Sequence, residues 1–323
     1  MHPDAASTTE ATPTLAVIDV LDLGRRAAAY ARRTTSEGTR KAYARDWRKF
    51  EGWCQASHLQ PFPAAPATVG LFLAGMAGHF SVATLGRCLA AISTMHRLSG
   101  AHLDIRHPAI HDVLRGIRRE HGALQRRVAP ATTAVVKAMA ASCDASLLGA
   151  RDRALVLIGF AAALRRSEIV ALDVDDVAVV GEGVRITIRR SKTDQDSIGA
   201  TVGVVRAGTS TCPVAALQDW LSRAEIKEGR VFRRVDRHGR IGTALTGQSV
   251  ALMMKKRAKL VGLDPADFSG HSLRAGLATA AATNEVEERI IQRQTRHRSL
   301  TVLRTYIRDG EMFLQNASGR VGL

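Results

Sequence analysis

Breaking a phosphodiester asks for a nucleophile, cations on the non-bridging oxygens, an acceptor for the nucleophile's proton and a donor for the leaving oxygen. Guanidinium forks suit the oxygens because they are planar, permanently charged and bidentate. The second half of this chain offers all four. Leu164-Arg165-Arg166-Ser167-Glu168 follows an apolar helical stretch over residues 154–163. Gly270-His271-Ser272-Leu273-Arg274 opens a later helix, with His271 and Arg274 three apart and so on one face. His297 lies nine residues before Tyr306, and Lys192 stands between the two arginine segments. Singly, each motif is weak. An HxxR pair usually marks a solvated helix face, and a lone tyrosine more often packs in a core or interface than attacks. Their order, Arg–Lys–HxxR–His–Tyr, is the informative feature.

Two domains are the expectation for 323 residues, and an apolar fraction of 46% is enough for real cores. Residues 1–15, rich in Ala, Thr and Pro, read as a disordered tail. Helical patterns follow over 16–121. The first covers about 18–33. Thr39 then caps a helix carrying Tyr43, Trp47, Phe50 and Trp53, which the prolines at 61–66 break. Thr68 opens another to about Gly78. Ser81 starts one with Leu85, Leu89, Ile92, Met95 and Leu98 on one face, and His107-Pro108 begins one with Ile110, Val113, Leu114 and Ile117 inward. Residues 122–131, with Gly122, Arg126, Arg127 and Pro130, read as a basic linker that lies against phosphate. The remainder, 132–323, is helical with one exception. Val184, Ile186 and Ile188 alternate with Arg185, Thr187 and Arg189, and 198–205 reads as the returning strand, placing Lys192 near the tip of a hairpin.

Lys+Arg 46 against Asp+Glu 30 gives a net charge of +16. Such an excess points to a polyanion, nucleic acid first, because neutralising phosphates releases counterions. Cys54, Cys88, Cys143 and Cys212 are scattered without a CxxC pair, which argues against a zinc finger or disulfide framework. The absence of a signal-peptide pattern or a bilayer-length apolar run gives a cytoplasmic or nucleoid expectation, with no membrane partner.

The ordered motifs resemble those of the tyrosine recombinase (phage integrase) family. The resemblance extends to Ser36-Glu37-Gly38-Thr39-Arg40-Lys41, Met95-His96-Arg97-Leu98-Ser99-Gly100, Gly116-Ile117-Arg118-Arg119-Glu120, Arg190-Ser191-Lys192-Thr193, Phe268-Ser269-Gly270-His271 and Thr305-Tyr306-Ile307-Arg308. It implies a mainly α, two-domain fold, with a helical SAM-like core-binding domain and a helical catalytic domain carrying a small antiparallel β-sheet. It implies that Arg165 and Arg274 clamp the scissile phosphate, that Tyr306 attacks, and that His271 accepts or relays the phenolic proton. It also implies that Lys192 protonates the leaving 5′-oxygen, that His297 hydrogen-bonds a phosphate oxygen, and that Glu168 orients the site without doing chemistry. One departure stands out. The family usually has glycine just before the second histidine, where this chain has Arg296. If that position needs a positive φ, arginine there is strained; Arg296 could instead add a phosphate contact.

The resemblance further implies double-stranded DNA with inverted-repeat sites as partner, a homotetramer on DNA, a Holliday junction, and no metal, ATP or other cofactor. A short apolar patch over 311–316 is expected to dock on a neighbouring subunit. Thr39, Lys41, Thr84, Arg87, Arg118 and Arg119 are expected to face DNA. So is the helix from Thr246 to about Lys259, through Gln248, Lys255, Lys256 and Arg257. Gln248 suits adenine N6 and N7, whereas the lysines and Arg257 grip phosphate. Two other classes fit parts of the pattern. A type IB topoisomerase shares the chemistry, though the amino-terminal domain argues against it. A non-catalytic architectural protein shares the charge but has no need of Arg165, Lys192, Arg274 and Tyr306 together.

Overall fold

The structure is a computed structural model that describes residues 20–122, 128–189 and 199–311, together with Ser318 and Val321. Lys192, Arg126, Arg127 and the patch beyond Glu311 lie outside the described residues. The chain is mainly α with small antiparallel sheets, and it forms two compact units that divide between Gln125 and Arg126.

The amino-terminal unit contains α1 (Val20–Arg33), α2 (Glu37–Ala56), α3 (Pro66–Gly75), α4 (Val82–Leu98) and α5 (Pro108–His121). Phe50 and Cys54 of α2, Val69 and Phe72 of α3, Leu85 and Ile92 of α4 and Ile110 of α5 are fully buried in one core. Helices α3 and α5 cross closely because residue 70 is glycine; a Cβ there would lie 2.1 Å from the Ala109 carbonyl oxygen. Pro66 and Pro108 sit in the first turns of α3 and α5, where the missing N–H costs nothing. One expected cap shifts. Ser36, in extended geometry, begins α2 and accepts from the Thr39 N–H at 3.2 Å, so Thr39 lies inside the first turn. Ser81 does the same for the Thr84 N–H at the start of α4.

The carboxy-terminal unit contains α6 (Thr133–Ala141), α7 (Leu147–Ala161), α8 (Arg166–Ala171), β1 (Val177–Val180), β2 (Gly183–Ile188), β3 (Ala200–Val205), α9 (Pro213–Arg223), β4 (Arg233–Val235), β5 (Ile241–Ala244), α10 (Gly247–Leu260), α11 (Ser272–Thr283), α12 (Glu288–Thr295) and α13 (Leu300–Glu311). Strands β1, β2 and β3 form an antiparallel sheet with Val177 opposite Ile186 and Ile186 opposite Val202. Val184, Ile186 and Ile188 face the core while Arg185 and Thr187 face out, as the alternation requires. Helix α7 is buried on every side from Ala154 to Ile158, and it carries the main core. Gly276 lets α11 press on the incoming chain, since a Cβ there would be 1.9 Å from the Ala131 carbonyl oxygen.

A buried ion triad locks α7 to α10. Asp152 accepts from Arg151 Nε and Nη2 on one oxygen (3.0 and 2.6 Å) and from Arg257 Nε and Nη2 on the other (3.2 and 2.6 Å). Arg257 Nη1 also donates to the Ser142 carbonyl at 2.8 Å. This corrects the DNA-facing expectation for Arg257. It is 3% exposed, and the helical periodicity that keeps Lys255, Lys256 and Lys259 outward turns residue 257 inward. Replacing Asp152 with alanine leaves two guanidiniums buried without a counter-charge. Chemical denaturation should show a loss of about 3–5 kcal/mol, far beyond a surface substitution.

Candidate active site

The arginine segment begins where α7 ends. Ala163 turns the chain with φ +47°; its N–H donates to the Phe160 carbonyl at 2.9 Å, and that of Leu164 to Gly159 at 3.0 Å. This left-handed turn, which costs a non-glycine residue about 1–2 kcal/mol, redirects the chain so that Arg165 can head α8. Glu168, 4% exposed, reaches back with both oxygens. Oε2 accepts from the Arg165 backbone N–H at 2.8 Å, and Oε1 from Arg165 Nη1 at 2.7 Å. A carboxylate at the third position of a helix commonly caps the start in this way; here the same group also holds the guanidinium.

Arg274 comes from the first turn of α11 and is 1% exposed. Its Nη1 donates to the Ala163 carbonyl at 2.8 Å, and its Nη2 is buried with no protein partner among the described residues. Burial, with Arg165 and Arg296 nearby, pulls its pKa down to about 9. A guanidinium that is costly to keep charged and holds an unused donor is suited to an anionic oxygen arriving from outside.

Tyr306 lies on α13, which packs against α11 and α12 through Ala278, Ala282, Ile291, Leu303 and Ile307. Its hydroxyl is 2.8 Å from His271 Nε2. The His297 ring centroid is 6.0 Å from that of Tyr306, so two imidazoles flank one phenol. His297 Nδ1 is 2.8 Å from Thr295 Oγ1, whose hydroxyl donates to the Ile291 carbonyl at 2.7 Å. Thr295 has one proton to give, so Nδ1 carries the ring proton and donates, leaving Nε2 as the basic nitrogen. Burial first, then the positive charges of Arg274 and Arg165, lower the pKa of His297 from 6.5 to about 3.

That shift has a measurable consequence. Between pH 6.5 and 3 the unfolded chain binds a proton at residue 297 that the folded chain refuses, so stability rises with pH across this window. The contribution is complete above pH 6.5 and erodes as pH falls. Thermal unfolding of DNA-free protein between pH 7 and 5 should show this loss, and His297→Gln should flatten it. An unchanged pH slope in the variant would show that His297 titrates normally.

The structure thus gathers Arg165, Glu168, His271, Arg274, His297 and Tyr306, and adds a residue whose placement the spacing did not reveal. Arg296 ends α12 in the left-handed region (φ 56°, ψ 41°), so the strain anticipated for a side chain there is present. Its guanidinium turns inward, with Nη2 donating to Glu168 Oε2 at 2.9 Å. Inward pairing replaces the phosphate contact considered from sequence. Among the remaining expected DNA-facing residues, Arg118, Arg119, Lys41, Gln248, Lys255 and Lys256 are exposed. Lys41 pairs with Glu37 at 2.6 Å. Thr39 and Thr84 occupy equivalent partly exposed positions, with hydroxyls 2.9 and 3.0 Å from the Ser36 and Ser81 hydroxyls. Arg87 grips buried Asp46 through Nε at 2.6 Å and Nη2 at 3.3 Å.

Comparison with known proteins points to one family. Residues 131–311 match the phage integrase family. An integrase/recombinase XerD homologue from Selenomonas ruminantium is 37% identical over 295 residues, covering 90% of this chain and 86% of the relative. Cre of Escherichia phage P1 is one relative among several, at 25% identity over 300 residues and 86% of each chain. The fold is similar to that of XerH recombinase bound to its palindromic difH substrate, with a TM-score of 0.61, 18% identity and 80% and 72% of the two chains covered. It is also similar to a lambda integrase fragment in a dimer bound to a COC′ core site, with a TM-score of 0.56, 15% identity and 88% and 93% covered. With more than half its length matching the family and nine-tenths aligning to a recombinase relative, the chain belongs to the phage integrase family and is a tyrosine-type site-specific recombinase.

Proposed function

We propose that this recombinase cuts and rejoins duplex DNA through a covalent 3′-phosphotyrosine bond to Tyr306. The observation that carries the reading is the 2.8 Å contact between the Tyr306 hydroxyl and His271 Nε2, beside a buried arginine with an unused donor. The Tyr306 oxygen attacks the phosphorus and its proton passes to His271. The bond from phosphorus to the 5′-oxygen breaks, and Lys192 protonates that oxygen. Arg165 and Arg274 hold the non-bridging oxygens, where charge grows in the transition state. His297, already using Nδ1–H on Thr295, must take a proton at Nε2 before it can donate to phosphate, and the incoming negative charge favours that. Rejoining is the reverse, with a 5′-hydroxyl attacking the phosphotyrosine. Because the phosphoester energy is kept, no nucleotide cofactor is called for.

The core-binding unit spans 16–121, the linker 122–131 and the catalytic unit 132–323. Thr39, Lys41, Thr84, Arg87, Arg118 and Arg119 meet DNA from the first unit; Gln248 reads a base edge, and Lys255 and Lys256 hold phosphate from the second. Four subunits assemble on two inverted-repeat sites and exchange strands through a Holliday junction, with the chain beyond Gly310 docking on a neighbour. A supercoiled plasmid carrying two copies of a site mapped by binding selection tests this. Recombinant circles of defined length support it. Relaxed topoisomers without recombinants would favour a topoisomerase, and unchanged plasmid under saturating binding would favour an architectural protein.

A further inference from the structure

We propose that Arg296 is a positioning residue that couples the two phosphate-facing arginines, Arg165 and Arg274; this rests on the phosphate clamp proposed above. Two acceptors are shared among the three guanidiniums. Glu168 holds Arg165 through Oε1 at 2.7 Å and Arg296 through Oε2 at 2.9 Å. The Ala163 carbonyl holds Arg274 through Nη1 at 2.8 Å and Arg296 through Nη2 at 3.1 Å. Arg296 therefore touches both of the groups that set its two neighbours, with the same Nη2. Its Nη1 adds the Ala162 and Gln294 carbonyls, each at 3.0 Å, which ties the end of α7 to the end of α12.

The backbone points the same way. Residue 296 sits in the left-handed region at φ 56°, where glycine is the unstrained choice. A guanidinium is retained there, and its side chain makes four hydrogen bonds that glycine could not supply. Its Nε is buried with no partner among the described residues, so the side chain is not simply the best-satisfied arrangement. Three guanidiniums around one buried carboxylate leave the site with excess positive charge before DNA arrives. That suits stabilisation of a phosphorane better than stability of the free protein.

The test is binding in the Tyr306→Phe background, where cleavage plays no part. Duplex carrying the mapped half-site is compared with the same duplex bearing one uncharged methylphosphonate at the scissile linkage. The ratio of the two affinities reads the clamp. Arg296→Met should lower that ratio about tenfold, the worth of a charged hydrogen bond, while affinity for the methylphosphonate duplex stays within about twofold. Arg296→Lys keeps the charge but not the fork, and should fall between. Arg296→Gly, which releases the left-handed strain, guards against simple misfolding and should behave as Arg296→Met does. With Tyr306 restored, Arg296→Met and Glu168→Gln should each slow cleavage about 100-fold, and together no more than the slower of the two. An unchanged ratio in both Arg296→Met and Arg296→Gly overturns the proposal. So does equal weakening of both duplexes in step with a lowered melting temperature, which would make Arg296 only a strut. A parent that forms no covalent adduct removes the proposed chemistry, while the affinity ratio still decides Arg296. A parent that shows no preference for the charged linkage overturns clamp and coupling together.

Discussion

Tyr306→Phe is expected to bind its DNA site with parental affinity and to form no covalent adduct, a fall in cleavage of about 10⁴-fold or more. The phenolic oxygen is the only heavy atom removed. The ring keeps its place against α11 and α12, in the cluster formed by Ala278, Ile291 and Leu303, so the fold should hold. What disappears is the oxygen lying 2.8 Å from His271 Nε2. No other tyrosine stands in this unit, since the remaining two, Tyr30 and Tyr43, belong to α1 and α2. A nicked suicide substrate on a denaturing gel reads the result. A persistent adduct in the variant would remove Tyr306 from the role of nucleophile.

Arg274→Met should separate activity from stability in opposite directions. Arg274 is 1% exposed, its pKa is drawn down to about 9, and its Nη2 meets no protein acceptor among the described residues. In the DNA-free protein it is a buried charge crowded by Arg165 and Arg296, so an apolar side chain of similar length relieves repulsion and desolvation. Replacements of buried charges in such settings are often neutral or stabilising by about 1–4 kcal/mol. The melting temperature of Arg274→Met should therefore hold or rise. Cleavage should fall by about 10³-fold, the upper end of the loss seen when one preorganised donor to a developing anion is removed. Arg274→Lys restores charge without the fork and should recover only part of that loss. A variant that loses stability and activity in proportion would mark Arg274 as a packing residue.

The sequence made the helices and the order of the site legible to different depths. Helices α2, α4 and α5 each show one apolar face, so periodicity locates them; Ser81 and Pro108 also mark the starts of α4 and α5, whereas α2 is capped by Ser36, three residues before the expected Thr39. Strand β2 was readable because Val184, Ile186 and Ile188 alternate against a single core face. Strand β1 is four residues long with mixed exposure, and β4 and β5 are three and four residues long, too short for alternation to stand out. At the site, Arg165, His271, Arg274 and Tyr306 were legible because their types answer the needs of phosphoryl transfer in a fixed order. The inward turn of Arg257 is not legible in the sequence, because its basic neighbours suggest a solvated stripe and its partner Asp152 is 105 residues earlier in the chain. Arg296 stands out in the sequence as a departure, but its pairing with Glu168 spans 128 residues, and only the folded chain brings the two together.

The central claim is that Tyr306 becomes bonded to DNA, and mass spectrometry of the trapped adduct tests it most directly. Parent protein is incubated with a nicked suicide duplex carrying the mapped site, then digested with trypsin and nuclease. The expected product is a nucleotide joined through its 3′ phosphate to the peptide spanning Thr305 to Arg308, with fragmentation placing it on Tyr306. A nucleotide found on Tyr30, on Tyr43 or on a serine, or joined through a 5′ phosphate, would contradict it.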